Sequence, residues 1–241
     1  MIGLGTIVNT IAVIIGGFLG LFCGGFLEER HQQSLTYACG VSVLFISVAG
    51  GMEGMLSADG GTISAGRSMF VTICILLGTV LGEIINIEGW FERFGKWLKI
   101  KSGNARDVKF VDGFLTTSFT ICIGAMAIVG SIQDGITGDY STLAVKAVLD
   151  LIIVAVMTSS MGKGCAFSAI PILLFEGSIT LLAKLMAPLF TEMAIAYLSL
   201  IGAILIFCVG INLVWGKKIK VANMLPAVVL AVIAAYLPIN F

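Results

Sequence analysis

Three acids and three neutral polar residues lie inside long apolar stretches, where holding them is costly. Asp150 sits in KAVLDLIIVAVM (146–157), Glu176 in IPILLFEGSI (170–179) and Glu83 in GTVLGEI (78–84). A charged group at membrane depth marks a functional site by default. A carboxylate there suits a proton or a cation. Asn9, Thr117 and Asn212 are also candidates, because amide and hydroxyl oxygens can coordinate Na⁺ or hydrogen-bond a small solute. The competing role for each is an interhelical hydrogen bond worth only about 0.6 kcal/mol. Lys146 precedes Asp150 by four residues, so the two share a helix face. Lys146 either neutralises Asp150 or snorkels to the interface. Glu176 has no such local partner. Pro171 lies five residues before it and lacks an amide, so it is expected to bend that helix and free a carbonyl nearby. Glu83 also reads as a wetted helix end. Glu53 and Asp134 are expected at the outer surface.

What positions these groups must be a membrane. The chain of 241 residues is 58% hydrophobic and 12% charged, with a mean hydropathy of +1.07. Soluble domains carry about twice that charged fraction. A run of about 20 apolar residues crosses a bilayer core, and such segments must be helical to satisfy their own backbone. Eight spans are predicted, at 2–26, 35–56, 69–88, 113–133, 142–161, 165–188, 194–215 and 220–239. The first reads as a retained helix and not a cleaved signal peptide, for it has no basic start.

Charge places the loops. On eight spans, one side carries Arg30; Arg93, Lys96, Lys99, Lys101, Arg106 and Lys109; Lys163; and Lys217, Lys218 and Lys220, which are eleven of the fourteen Lys and Arg residues. Basic loops stay cytoplasmic, so both termini are expected outside. The expected location is a bacterial inner membrane, the expected partners are the lipid bilayer and a small solute or ion, and a homo-oligomer is possible. The net charge of zero and the lack of a basic patch exclude nucleic acid.

The chain reads as one all-α transmembrane domain over 1–241, with an N-terminal helix pair (1–68) and two three-helix units (69–162 and 163–241). ICILLGTVLGEI (73–84) resembles SAIPILLFEGSI (168–179), SFTICIGAMAIVG (118–130) resembles LSLIGAILIFCVG (198–210), and KAVLDLIIVAVM resembles NMLPAVVLAVIAAY (223–236). Three helices is an odd number, so the two copies would be inverted, the arrangement of many secondary transporters, with a site between the copies. Asp150 and Glu176 flank the seam Gly162-Lys163-Gly164. Gly16, Gly20 and Gly24, and Gly78 and Gly82, form stripes for close helix packing, either internal or between subunits. The Gly-rich ends AGGMEGM (49–55), SADGGTISAG (57–66) and IVGSIQDGITGD (128–139) suggest unwound helix ends that line a site or form outer loops. IEGWFERFGKWLKI (87–100) is an amphipathic helix, expected to lie in the interface.

No enzyme motif is present, and no cofactor or metal set is expected. His31 reads as a solvated loop residue. The six cysteines (Cys23, Cys39, Cys74, Cys122, Cys165 and Cys208) lack ligand spacing and read as packing residues. ILLGTVLGEIINIEGWFERFGKWL (75–98), CIGAMAIVGSIQDGITGD (122–139), KAVLDLIIVAVMTSSMGKG (146–164) and ILLFEGSITLLA (172–183) together resemble the bacterial membrane proteins of domain-of-unknown-function family 554. The resemblance covers nearly the whole chain and implies a polytopic inner-membrane protein, sometimes labelled a transporter, with no settled substrate. The expected function is secondary transport of a small solute or ion, H⁺- or Na⁺-coupled. The alternatives are a passive channel or a scaffold that recruits a partner through helix 89–100.

Overall fold

The computed structural model describes residues 2–26, 28–59, 62–123 and 125–237. Among the described residues, six helical stretches are long and apolar enough to cross a membrane: Leu4–Gly24 (α1), Arg30–Met55 within Glu29–Met55 (α2), Ser68–Ile85 (α3), Ser141–Met161 (α7), Lys163–Leu181, and Glu192–Trp215 (α10). The fifth of these is a 3-10 turn, Lys163–Ser168, continued by Ala169–Leu181 (α8). Between α3 and α7 lie Ile87–Lys101 (α4), Phe110–Cys122 (α5) and Ala125–Thr137 (α6). Helices α5 and α6 form a bent pair, at 61°, that makes a seventh apolar crossing if counted as one. Ala183–Met186 (α9) follows α8. The predicted eighth span is a shorter apolar stretch, Val221–Met224 (α11) and Pro226–Ala234 (α12); its predicted end at 239 lies outside the described residues.

Local chemistry explains the boundaries. Gly162, at φ 91°, stops α7 in a conformation that glycine adopts without strain. Asn86 joins α3 to α4 at φ 56°, a left-handed position that Asn tolerates, and its side chain accepts from the Gly89 amide to cap α4. Thr191 caps α10 by accepting from the Ala194 amide. Pro171 lies in the first turn of α8, where its missing amide is not needed, so it starts this helix and does not bend its middle.

Two expected breaks fall elsewhere. AGGMEGM is helical to Met55, and the chain then turns through a short antiparallel hairpin, Leu56–Asp59 (β1) and Thr62–Ala65 (β2). Its tip residues Gly60 and Gly61 lie outside the described residues. IVGSIQDGIT is also helical, and the interruption comes earlier, between Cys122 and Ala125, where Ile123 is extended (ψ 104°). Gly124 itself lies outside the described residues.

The glycine stripes are used inside the chain. A Cβ at Gly16 would meet the Leu151 carbonyl oxygen at 2.5 Å, one at Gly20 would meet the Ala155 carbonyl, and one at Gly24 would meet Ser159. Helix α1 therefore lies almost backbone-to-backbone on α7. Gly78 and Gly82 likewise face the backbone of Ala227 and Asn223, holding α3 against α11 and α12. Neither stripe is left for a second subunit. The largest core gathers Phe70, Phe114, Leu200, Ile201 and Leu205 among others. Large apolar side chains elsewhere face outward, such as Phe18, Phe22, Phe45, Leu76 and Val148.

The two proposed three-helix units differ in detail. α5 and α6 are broken where α10 runs unbroken for 24 residues, and α7 runs unbroken for 21 where α11 and α12 are short and interrupted.

Candidate functional site

Close approach of α1 to α7 brings Asn9 onto Asp150. The Asn9 amide nitrogen donates to Asp150 Oδ2 at 3.1 Å and to Glu176 Oε1, on α8, at 2.9 Å. Lys146, one turn before Asp150, donates to Asp150 Oδ2 and lies 3.5 Å from Glu176 Oε1. Its third contact is the Ile121 carbonyl, at 2.8 Å. That carbonyl has been freed by the break after α5, because the next residues no longer supply the amide of a continuing helix. Broken backbone at membrane depth is tolerated where something inside the protein uses it. Here a lysine does.

All four side chains are buried. Asn9 and Glu176 have no exposed surface, and Asp150 and Lys146 expose 4% and 6%. Lys146 therefore does not snorkel to an interface. Two acids share one ammonium, which leaves the cluster one negative charge in excess when both are ionised. Glu176 Oε2 and Asn9 Oδ1 are buried with no hydrogen-bond partner among the described residues. Such orphaned oxygens are uncommon and call for an explanation.

Polar groups continue from the cluster toward one end of the bundle. The Thr6 and Thr180 hydroxyls share a hydrogen bond of 3.0 Å, one turn from Asn9 and from Glu176. Beyond them Asp134, from α6, accepts from the Gly3 and Gly5 amides at 3.1 and 2.9 Å, capping α1. Asp134 is fully buried and not the surface residue the sequence suggests. Toward the other end lies an apolar layer of Val13, Val154 and Ile172, one turn past the cluster on α1, α7 and α8, with Ile121 and Ala169 packed on it. Past it, a cleft of about 290 Å³ lies between Gly20, Gly24, Asp107, Thr158, Ser160 and Lys163.

Three other candidates lie apart from this cluster. Thr117 is buried on α5 beside the Cys165 thiol, a turn below Ile121. Glu83 is half-exposed at the end of α3 and pairs with Lys220 at 3.4 Å. Asn212 ties the turn after α10: it donates to the Ile219 carbonyl and accepts from the Lys218 and Ile219 amides. Beside it is a group that the sequence pattern does not single out. Glu88 is buried, accepts from the Ala222 amide at 3.2 Å and pairs with Lys217 at 3.0 Å, while its own amide donates to Asn223 Oδ1 at 2.7 Å. Lys217 also reaches Glu92 at 2.7 Å. The Lys217 hydrogen bond holds the Glu92 carboxyl below its usual range, more than offsetting the effect of burial. Partial burial disfavours the Lys217 charge, but its bonds to Glu92 and Glu88 outweigh this and raise its pKa. The one hint of this second network in the sequence is the spacing of Glu88 and Glu92, four apart on one helix face.

A profile described as "Protein of unknown function (DUF554)" matches residues 4–236. The chain is 29% identical over 227 residues to "Uncharacterized membrane protein YdfK" of Bacillus subtilis (strain 168), covering 94% of this chain and 93% of the relative. It is 27% identical over 239 residues to "Uncharacterized protein YqgA" of Escherichia coli (strain K12), covering 95% and 94%. No solved structure matches. The apolar helices that embed the buried cluster and a match running almost end to end agree, and the chain belongs to the DUF554 family of membrane proteins.

Proposed function

We propose that the protein is a secondary transporter of a small solute or ion, coupled to H⁺ or Na⁺, and not an enzyme. The observation that carries this reading is the buried Asn9–Lys146–Asp150–Glu176 cluster, held against the freed Ile121 carbonyl at the break between α5 and α6. A cluster built only for stability would gain little from charge, since buried ion pairs often do no better than apolar packing. Charged groups held at membrane depth are more often part of an ion pathway.

The cluster draws on α1, α5, α7 and α8, so it joins both proposed units. Movement of one against the other would open it alternately toward the polar seam at Thr6 and Thr180 and toward the cleft beyond the apolar layer. That layer speaks for alternating access and against a permanently open pore. In this reading the chain crosses a bacterial inner membrane eight times, with the basic loops in the cytoplasm and the ends near Gly3 and Leu237 outside. The amphipathic helix α4, with Trp90 and Trp97 exposed, lies in the cytoplasmic interface.

The test is flux into proteoliposomes over a panel of small solutes and ions, with Asp150→Asn and Glu176→Gln beside the parent. Each substitution is expected to lower coupled flux by tenfold or more. Variants as active as the parent on a transported solute would show that the cluster is not the site.

A further inference from the structure

We infer that the ion handled by this cluster is a proton, and that Glu176 is the group that carries it, one proton per opening. This deepens the transport reading above and rests on it for its role, though not for its chemistry.

The inference follows from counting donors and acceptors. The cluster offers five N–H groups, three from the Lys146 ammonium and two from the Asn9 amide. All are directed. Lys146 faces the Ile121 carbonyl, Asp150 Oδ2 and Glu176 Oε1, and Asn9 donates to Asp150 Oδ2 and Glu176 Oε1. Nothing remains for Glu176 Oε2 or Asn9 Oδ1, both buried. The two acids are also not equivalent. Asp150 takes the direct contact of Lys146, one turn away on its own helix, while Glu176 sits farther from the ammonium at 3.5 Å. Among the described residues, the remaining titratable neighbour is Cys122, at the end of α5, which adds no cation.

One proton on Glu176 removes the excess charge and turns Oε2, an acceptor with no donor, into a donor. The carboxylate takes up H⁺ at Oε2 from water. The cluster then goes from one net negative charge to none, Lys146 stays paired to Asp150, and Oε2 becomes a hydroxyl. A metal cation fits less well. Hard cations are held by several oxygens around the ion, whereas two oxygens here lack partners and an ammonium already occupies the space between the carboxylates. The hydroxyls of Thr6 and Thr180, one turn from Asn9 and Glu176, provide a polar seam by which water could deliver the proton from the Gly3 end.

The experiment is infrared difference spectroscopy of the full-length protein in lipid, titrated with pH at fixed salt and then with Na⁺ at fixed pH. Protein labelled with ¹³C at glutamate carboxyls is compared with protein labelled at aspartate carboxyls. A protonated-carboxyl C=O band that titrates with pH, shifts with the glutamate label only, disappears in Glu176→Gln and does not respond to Na⁺ is the expected result. Absence of a titrating band, loss of the band on adding Na⁺, or a shift with the aspartate label would each overturn the inference. The glutamate label marks every glutamate, Glu88 among them, so Glu176→Asp is the second variant: it should move the band from the glutamate label to the aspartate label, and a band left on the glutamate label would overturn the inference. The outcome is separate from the flux assay: solute flux that needs Glu176 without a titrating band leaves a transporter that is not proton-coupled here, and a titrating band without flux leaves a proton site in a protein that does not transport.

Discussion

Two ion networks in this molecule use the same residue types to opposite ends. In one, Lys146 lies between Asp150 and Glu176 with almost no exposure, and two oxygens go without partners. In the other, Lys217 lies between Glu88 and Glu92 at the end of the bundle, two-fifths exposed, and pairs with both. In each, one lysine lies between two acids, but at the rim Lys96 also pairs with Glu92 at 4.0 Å. The difference is a second cation and water. At the rim, Lys96 balances the charge and solvent reaches spare lone pairs, so the arrangement is a clamp that fixes α4 to the turn after α10. In the interior, no second cation among the described residues pairs with the acids, and the cluster is almost closed to solvent. The lesson is that composition alone does not separate a network balanced by its surroundings from one that must balance its own charge; access to water and to a second cation does.

The comparison breaks most easily at Lys146. Lys146→Met leaves two carboxylates buried with only Asn9 between them, and unfolding in detergent is expected to become easier by about 3–5 kcal/mol. Lys146→Met combined with Asp150→Asn removes the repulsion and should recover a large part of that loss, read as a rise in melting temperature over the single variant. If the single variant melts like the parent, the interior network is not held by charge.

Glu88 is the intermediate case, a buried acid at the wet end. Glu88→Ala strips the acceptor from the Ala222 amide and one partner from Lys217. A loss of about 1–2 kcal/mol is expected, the size of a lost helix cap, and urea unfolding would report it.

The smallest effect belongs to Glu92. Glu92→Gln should cost at most about 1 kcal/mol, shrinking further in high salt, as exposed pairs do. Its pH dependence has a definite sign. The Glu92 carboxyl is held low in the folded chain, so its contribution is present above about pH 4.3 and is lost as pH falls through the lowered value. The Lys217 ammonium is held high, so its contribution is present below about pH 10.4 and is lost as pH rises through the raised value. Melting curves of parent and Glu92→Gln should therefore converge in acid. Curves that stay parallel down to low pH would show that the pair contributes nothing through charge.

Some of these features are legible in the residues alone. The pairing of Lys146 with Asp150 follows from four-residue spacing on a helix, a local rule. Helix α4 follows from the alternation of its aromatic and charged faces, and α7 matches its predicted bounds within a residue because Gly162 ends it. Asp134 is misplaced by its Gly-rich neighbourhood, which reads as a loop, and only contact with Gly3 and Gly5, 129 to 131 residues away, makes it a buried cap. Asn212 is indistinguishable from Asn9 by type and setting; one bonds a turn a few residues away, the other bridges two distant helices. The break in the fourth span, between Cys122 and Ala125, comes a few residues before the glycine-rich end IVGSIQDGITGD, so glycine content alone does not say where a helix yields.

The sequence by itself determined what is governed by short range and by solvent: apolar stretches suited to lipid, the ends of most helices, and the costly surroundings of Asp150 and Glu176. Only the tertiary structure decided that Asn9, Glu176 and the Ile121 carbonyl meet Lys146 and Asp150, and that Glu83, Thr117 and Asn212 do not. The reason is physical. Helix formation and bilayer partitioning act within a turn or a span, whereas the meeting of α1, α5, α7 and α8 depends on how far glycine lets two backbones approach, and that depends on what stands opposite.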